Sequence, residues 1–242
     1  MEPERGAPVV MPGVEEAGQA AASWINIPWE GRQGGFFADF FITVRMVLFQ
    51  PGEFFARMPI RGGIMSPLVF AVLVGSIGLC FSIFWPLLWG LTRGGSGLGE
   101  WMPLMFGSSM SDLGPLSSFR LGQVFILLAS VPFMVVIGLF IYSLFTHFLL
   151  ILVWGNKSGF EATFRVLSYV MAGYIFNIVP IIGGLVSGIW MIVLQVIGLS
   201  QAHGIGVLRV LFAILFLPFI LLLLIAVAFI GLLGLIPLLL WG

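Results

Sequence analysis

The stretch that decides the fold is LGQVFILLASVPFMVVIGLFIYSLFTHFLLILVWGN, residues 121–156, which contains no Asp, Glu, Lys or Arg. A helix crosses the hydrocarbon core of a bilayer with about 20 apolar residues, so this stretch is long enough to span it. The 242-residue chain as a whole is 60% hydrophobic and 8% charged, against about 45–50% and about 25% in an average soluble domain. These values exclude a soluble protein and predict an all-α fold, a polytopic membrane helical bundle.

Charged residues bound further apolar intervals along the chain. The interval between Arg165 and Arg209 is too long for one span, and Pro180 followed by two glycines predicts a tight turn within it. The count is therefore five transmembrane helices, and the alternative is four, with Pro180 in a re-entrant dip. The predicted spans cover about residues 66–90, 121–154, 160–178, 184–201 and 208–236.

The start of the third predicted span carries two local signals. Ser158 and Glu161 have the spacing of a Ser-x-x-Glu capping box, in which the two side chains close the first turn of a helix. Glu161 and Arg165 are four residues apart, so we expect them to form an ion pair at the membrane surface.

The distribution of basic residues predicts the orientation of the chain in the membrane. With five spans and the N-terminus inside, 8 of the 10 Lys and Arg residues lie on the cytoplasmic side, and with four spans 7 of them do. Basic residues concentrate on the cytoplasmic side of membrane proteins. We therefore expect a cytoplasmic N-terminus and, with five spans, a C-terminus outside.

Two segments precede the membrane domain, which is predicted to cover residues 62–242. Residues 1–35 carry few large apolar side chains and are predicted to form a disordered cytoplasmic tail. Residues 36–61 form a predicted interfacial amphipathic segment, with a helix over 36–49 that is too short to span a bilayer. Its apolar residues recur at helical spacing, and Asp39 and Thr43 lie on the opposite stripe. This helix either packs on the bundle or contacts a partner or the membrane.

The residue types that metals and cofactors require are scarce. Cys80 is the single cysteine, which excludes intrachain disulfides and multi-cysteine metal sites. His147 and His203 are the two histidines, and the apolar segments supply no carboxylate to complete a zinc site with them. The ten basic and ten acidic residues balance, so no basic patch indicates nucleic acid. We expect no metal, no cofactor and no nucleic-acid partner.

Polar groups inside the spans are the candidate functional residues, because each is costly in a bilayer unless it is hydrogen-bonded. We interpret the two histidines as structural and expect no catalytic residue, since the motifs of membrane hydrolases are absent from the sequence. The alternative is a small transporter or channel, whose polar path would be lined by Tyr142, His147, Asn177 and Gln195. The full set of candidates is Tyr142, His147, Tyr174, Asn177, Pro180, Gln195 and His203.

Small residues in the fourth predicted span form a second pattern. Gly184 and Gly188 have the Gly-x-x-x-Gly spacing that lets two membrane helices approach closely. Helix packing within the chain is the simpler interpretation, and homo-oligomerisation through this face is the alternative.

Several short motifs occur in an order and spacing typical of one membrane-protein family. They are IPWE at 27–30, PGEFFARM at 51–58, GIMSPL at 63–68, His147, GFEATFR at 159–165, SY at 168–169, VPIIGG at 179–184, IW at 189–190, IGL at 197–199, AH at 202–203 and Arg209. In this respect residues 25–220 resemble bacterial proteins of the Yip-domain family. The resemblance implies five spans with a cytoplasmic N-terminus. Eukaryotic relatives bind Rab-type GTPases in vesicle trafficking, and that role does not carry over to a chain of bacterial appearance.

These observations together predict a non-enzymatic membrane protein in the inner membrane of a bacterium. We expect it to act as a membrane-organising or partner-recruiting scaffold. Its expected partners are membrane lipid, a protein that binds the cytoplasmic N-terminal region, and a second copy of the chain.

Overall fold

The computed structural model describes residues 27–92 except 33, and residues 121–227 except 221 and 225. Every regular element within these ranges is helical, which confirms the all-α fold. The α-helices are α1 (Pro28–Gly31), α2 (Phe36–Phe49), α3 (Pro51–Arg57), α4 (Met65–Thr92), α5 (Leu121–Leu152), α6 (Gly159–Val170), α7 (Gly183–His203) and α8 (Val207–Leu211). A 3-10 segment (Met171–Ile178) directly follows α6, and a π segment (Phe212–Phe216) directly follows α8.

Four helical stretches in the described part of the chain are long and apolar enough to cross a membrane. They are Met65–Trp89, Phe125–Leu152, Gly183–His203 and Val207–Leu224. These stretches coincide with four of the predicted spans, the last of which runs beyond residue 227 and so lies partly outside the described residues. The architecture is that of a polytopic helical membrane protein.

The third predicted span, residues 160–178, is helical but has a different character. It is divided between α6 and the 3-10 segment, and neither part alone reaches the length of about 20 residues that a span needs. Every residue from Ala162 to Val170 is buried. Helix α6 therefore runs through the interior of the protein, against α4, α5 and α7, and the count of five spans stays a prediction.

The tight turn predicted around Pro180 lies between the 3-10 segment and α7. The carbonyl oxygen of Pro180 accepts a hydrogen bond of 2.8 Å from the amide of Ile182, and Ile181 has a positive φ of 67°. Gly183 begins α7, and a Cβ at this position would collide with the carbonyl oxygen of Phe176. Glycine therefore allows α7 to start directly against the 3-10 segment.

The predicted disordered tail, residues 1–35, extends too far, because its last part is folded. Trp29 of α1 is buried, and its ring makes T-shaped contacts with Phe40 of α2 and Phe70 of α4. Its indole N–H donates a hydrogen bond of 2.8 Å to the carbonyl oxygen of Ser66. The buried indole ring, with its polar group satisfied, therefore helps to fix this short helix against α2 and α4. Residues 1–26 lie outside the described residues.

The interfacial helix α2 has the predicted bounds, but the polar residues of its predicted outer stripe, Asp39 and Thr43, face the protein. Asp39 and Thr43 are buried. The hydroxyl oxygen of Thr43 accepts the amide of Trp29 at 3.1 Å, and the two carboxylate oxygens of Asp39 accept the amide of Gly34 at 3.1 and 3.2 Å. The polar groups of α2 therefore fix the chain that precedes it.

The outward face of α2 is apolar instead. Phe37, Phe41 and Phe49 are 74, 64 and 71% exposed, with Phe36 and Ile42 beside them. Arg45 is the exposed charged side chain among them. An outward face of this composition is suited to a lipid interface.

Candidate functional site

Two charged residues of α6 hold the segment between α3 and α4, residues 59–63, which we call the strap. The guanidinium of Arg165 donates from Nε to the carbonyl oxygen of Pro59 at 2.7 Å and from Nη1 to that of Gly63 at 2.6 Å. The carboxylate of Glu161 accepts the amides of Gly62 and Gly63 at 2.8 and 2.7 Å. Arg165 donates hydrogen bonds to the carbonyl groups of the strap, and Glu161 accepts hydrogen bonds from its amides. Helix α6 therefore fixes the strap through both side chains.

Arg165 is completely buried, and Glu30 of α1 balances its charge. Nη2 of Arg165 lies 2.6 Å from Oε1 of Glu30, and the hydroxyl group of Tyr169 donates to the same oxygen. A buried ion pair is tolerated where further hydrogen bonds satisfy the remaining polar groups, and here each nitrogen of the guanidinium has a partner. The pair fastens α1 to α6 across 135 residues of sequence.

The predicted ion pair between Glu161 and Arg165 is wrong, because each side chain has a partner elsewhere. The spacing allowed the pair, but Arg165 points into the protein while Glu161 remains near its surface. Hydrogen bonds from the strap amides hold the pKa of Glu161, which lies outside the four long apolar helical stretches, below its usual value. Glu30 is not among the candidates predicted from the sequence, because it lies within the predicted disordered tail. The available signal was an acidic residue within the otherwise apolar IPWE motif.

The two histidines come together at Thr163 of α6. Nδ1 of His147 and Nε2 of His203 lie 3.2 and 2.9 Å from the hydroxyl oxygen of Thr163. On the far side of the rings, Nδ2 of Asn156 lies 3.3 Å from Nε2 of His147, and the amide of Ser158 donates to Nδ1 of His203 at 3.3 Å. Asn156 Nδ2 and the Ser158 amide are both donors, so the ring nitrogen that faces each of them must be an acceptor without a proton. Both rings are therefore neutral, and each carries its proton on the nitrogen that faces Thr163. We call His147, Thr163 and His203 the histidine cluster, and this cluster joins α5, α6 and α7.

The same region shows that the predicted capping box is wrong. Ser158 directly precedes α6, but its hydroxyl group donates to the carbonyl oxygen of Ala202 at 2.6 Å, while Glu161 binds the strap. Nζ of Lys157 donates to the carbonyl oxygen of Gly204 at 3.3 Å. Both side chains of the expected box therefore have tertiary partners, and the start of α6 is joined to the end of α7.

Asn177, near the end of the 3-10 segment, is held by α4. Its Nδ2 donates to the hydroxyl oxygen of Ser82 at 2.9 Å, and the indole N–H of Trp85 donates to its backbone carbonyl oxygen at 3.1 Å. Its Oδ1 has no hydrogen-bond partner in the described part of the chain. Asn177 therefore holds the 3-10 segment against α4.

Tyr142 and Gln195 meet at a cavity between α5 and α7. The hydroxyl group of Tyr142 donates to Oε1 of Gln195 at 2.8 Å. The cavity has a volume of about 380 Å³, and Tyr174 of the 3-10 segment also lines it. Gln195 is only 4% exposed, and its Nε2 has no partner among the residues that the structure describes.

The four polar residues predicted to line a transport path occupy three separate places. Tyr142 and Gln195 share the cavity, His147 belongs to the histidine cluster, and Asn177 contacts α4. Within residues 27–92 and 121–227, as far as they are described, no polar path joins all four.

The close packing within the chain predicted for Gly184 and Gly188 is not observed. A Cβ at either position would meet nothing within 4 Å. The glycines that do permit close approach are elsewhere. A Cβ at Gly78 would collide with the backbone of Tyr174, one at Gly173 with Met191, and one at Gly198 with Val166. Contact of Gly184 or Gly188 with a second copy of the chain stays a prediction.

The helical spans and the buried polar contacts between them define the class of this protein as an all-α, polytopic membrane protein. A family model for the Yip1 domain matches residues 45–230. The chain belongs to the Yip1 domain family, which confirms the family that the sequence motifs indicate. No curated protein and no solved structure matches the chain significantly. The matched range includes Arg165 but begins after Glu30, so the pair links the Yip1 domain to the segment before it.

Proposed function

We propose that this protein is a non-enzymatic scaffold that organises the inner membrane of a bacterium and recruits partner proteins to it. The observation that carries the proposal is the outward face of α2, where Phe37, Phe41 and Phe49 are exposed. Aromatic side chains concentrate at the membrane–water interface. A helix of 14 residues is too short to span a bilayer. Helix α2 is therefore expected to lie in the headgroup layer, where it displaces lipid beside the spans.

The attachment of α2 supports this role, because the helix cannot move independently of the bundle. Thr43 of α2 binds α1, Trp29 of α1 binds the start of α4, and Glu30 of α1 binds Arg165 of α6. A helix held through these contacts keeps its aromatic face at one depth. Together with the N-terminal segment, this face would form the surface that partners contact.

The histidine cluster supports a non-enzymatic role. His147 and His203 engage both nitrogens of their rings with Thr163, Asn156 and Ser158. A general acid or base needs a ring nitrogen that reaches the substrate. These rings instead connect three helices.

The orientation is part of the proposal, with the N-terminus in the cytoplasm and the C-terminus outside, as the basic residues favour. The test uses a Cys80→Ser background that carries either Glu2→Cys or Gly242→Cys. An impermeant thiol reagent applied to intact cells should label position 242, and position 2 only after lysis. Labelling of position 242 only after lysis would contradict the five-span orientation.

The scaffold role is tested by crosslinking in native membranes followed by mass spectrometry. We compare the full chain with a triple variant, Phe37→Ser, Phe41→Ser and Phe49→Ser. The matched control changes the exposed ion pair of α3 in a double variant, Glu53→Ser and Arg57→Ser. Partners should be captured by the wild type and by the control and lost from the triple variant. The same partners with all three chains, or only self-crosslinks, would contradict the proposal.

A further inference from the structure

We propose that the cavity between α5 and α7 binds a neutral lipid that carries a carbonyl oxygen. The carbonyl oxygen would accept a hydrogen bond from Nε2 of Gln195, and the apolar part of the lipid would fill the rest of the cavity. This site is separate from the outward face of α2 and does not rest on the scaffold role.

Gln195 supplies the polar argument. Its Oε1 already accepts a hydrogen bond from the hydroxyl group of Tyr142, so the two hydrogens of Nε2 are the part of the amide left to bind a ligand. Nε2 is itself buried, so the amide would turn towards the cavity when a ligand binds. The side chain is almost completely buried and lines the cavity. A buried N–H group without a partner is costly, and a bound acceptor would remove that cost.

The depth of the site favours a neutral ligand. Gln195 lies eight residues before the end of α7 at His203, which is about 12 Å along the helix. Tyr142 lies ten residues before the end of α5, or about 15 Å. Both ends lie near the histidine cluster, so the two groups are at a similar depth within a hydrocarbon core about 30 Å thick. A phosphate or carboxylate would be costly at this depth, whereas a neutral carbonyl group is tolerated.

The walls of the cavity are suited to an apolar chain. Apart from Tyr142, Tyr174 and Gln195, the side chains that line it are apolar, and they include Met134, Met171 and Met191. Methionine is flexible and adapts to ligands of irregular shape. The volume of about 380 Å³ lies within the range of small-molecule sites, about 300–1,000 Å³.

Two glycines create the space, and they offer a precise test. Gly138 of α5 and Gly188 of α7 line the cavity, and a Cβ at either would meet nothing within 4 Å. Leucine at either position would therefore fill the cavity, and it is also a better helix former than glycine. Gly184 lies on the same helix with equally open surroundings but does not line the cavity. Gly184→Leu is therefore the matched control.

The experiment uses the full chain in lipid nanodiscs and a diacylglycerol that carries a photoreactive diazirine in one acyl chain. A second probe is the dialkyl ether analogue, which has no carbonyl group, and a third is a photoreactive isoprenoid quinone. Labelled peptides are mapped by mass spectrometry, and the unfolding temperature of each variant is measured in parallel. Stronger labelling by the diacylglycerol or by the quinone identifies which carbonyl lipid the site prefers.

We expect one of the two carbonyl probes to label peptides of α5 and α7. Gly188→Leu should reduce this labelling at least tenfold, and Gly184→Leu should leave it unchanged. If the diacylglycerol is the preferred lipid, it should exceed its ether analogue by roughly two- to tenfold, as one hydrogen bond predicts. If the quinone is preferred, its labelling should fall by the same factor in Gln195→Leu. The same variant should label equally with the diacylglycerol and with its ether analogue, because the hydrogen-bond donor is absent. Gly138→Leu on the opposite wall serves as the second filling variant if Gly188→Leu does not fold.

Three results would overturn the proposal. The first is labelling confined to peptides outside the cavity, and the second is an equal reduction by Gly184→Leu and Gly188→Leu. The third is unchanged labelling in Gly188→Leu; if the oligomeric state also changes in this variant, the cavity is instead an interface between two copies of the chain.

Discussion

The strap end of the molecule and the middle of the bundle treat their polar groups differently. At the strap end, Glu30, Glu161 and Arg165 all have charge-assisted hydrogen bonds. In the middle of the bundle, helices α4, α5 and α7 and the 3-10 segment contain every buried side-chain atom that lacks a partner within the described part of the chain. Those atoms belong to Ser76, Ser143, Asn177, Trp190 and Gln195.

This difference indicates how the two regions are specified. Directional polar contacts select one arrangement of α1, the strap and α6, because a wrong arrangement would leave a charge buried without a partner. The middle of the bundle relies on apolar packing, which leaves these five polar side-chain atoms without a partner among the described residues. The next four predictions test this contrast.

Arg165→Met is expected to have the largest effect. It leaves two strap carbonyl groups without their donor and the Glu30 carboxylate with only the hydroxyl group of Tyr169, and breaking a buried pair from one side costs about 3–5 kcal/mol. The free energy of unfolding in detergent micelles measures this loss. Arg57→Met is the control, since its exposed pair with Glu53 is worth about 0.3–0.5 kcal/mol. Equal losses in the two variants would remove the contrast.

Thr163→Val should be the next most damaging change. It keeps the shape of the side chain but removes the acceptor of two histidine N–H groups, and we expect a loss of about 1–3 kcal/mol because His203 is fully buried whereas His147 is partly exposed. Thr163→Ser retains the hydroxyl group and should stay close to the wild type in the same unfolding measurement. If valine is tolerated as well as serine, the histidine cluster does not join the helices in the way described.

Gly78→Ala tests the packing of the middle of the bundle. The added Cβ would collide with the backbone of Tyr174, so we expect a loss of about 1–3 kcal/mol from overpacking. Gly184→Ala has open space around the new Cβ and should be neutral or stabilising, by up to about 1 kcal/mol. Thermal unfolding of both proteins compares them directly, and a destabilised Gly184→Ala would instead indicate a contact at that face.

The strap contact of Glu161 should give the smallest effect, and it should depend on pH. The strap amides lower the pKa of this carboxyl group in the folded protein below its ordinary value of 4.5. Its contribution to stability is therefore present above pH 4.5 and is lost as the pH falls below that value towards the lowered pKa. Unfolding of the wild type and Glu161→Gln, measured from pH 7 down to pH 3, should show a difference that shrinks with acidification. A constant difference would contradict the contact.

The sequence predicts the features of this fold that depend on local patterns. Four spans, the bounds of α2 and the turn at Pro180 follow from apolar periodicity, charge-free length and the proline and glycine positions. Each of these signals lies within the element that it specifies. The Yip-domain motifs likewise predicted the family correctly.

The features that escaped prediction depend on which helices become neighbours. The spacing along α6 predicts that Glu161 pairs with Arg165. In the structure, Arg165 pairs with Glu30 of α1, which is close in space but 135 residues away in sequence. Similarly, the periodicity of α2 places Asp39 and Thr43 opposite its apolar stripe, which predicts that they are exposed. They are buried instead, because this side of α2 packs against the folded chain that precedes it. The cavity at Gln195 also required the placement of α5 against α7.

The central claim is that α2 is fixed to the bundle with its aromatic face in the bilayer. Spin labels attached in a Cys80→Ser background through Phe41→Cys or Arg57→Cys, with the protein in liposomes, test it most directly. We expect the label at position 41 to be accessible to oxygen and shielded from a water-soluble nickel complex, and the label at position 57 to show the reverse. If position 41 is as accessible to the nickel complex as position 57, the face points to water and the claim is wrong.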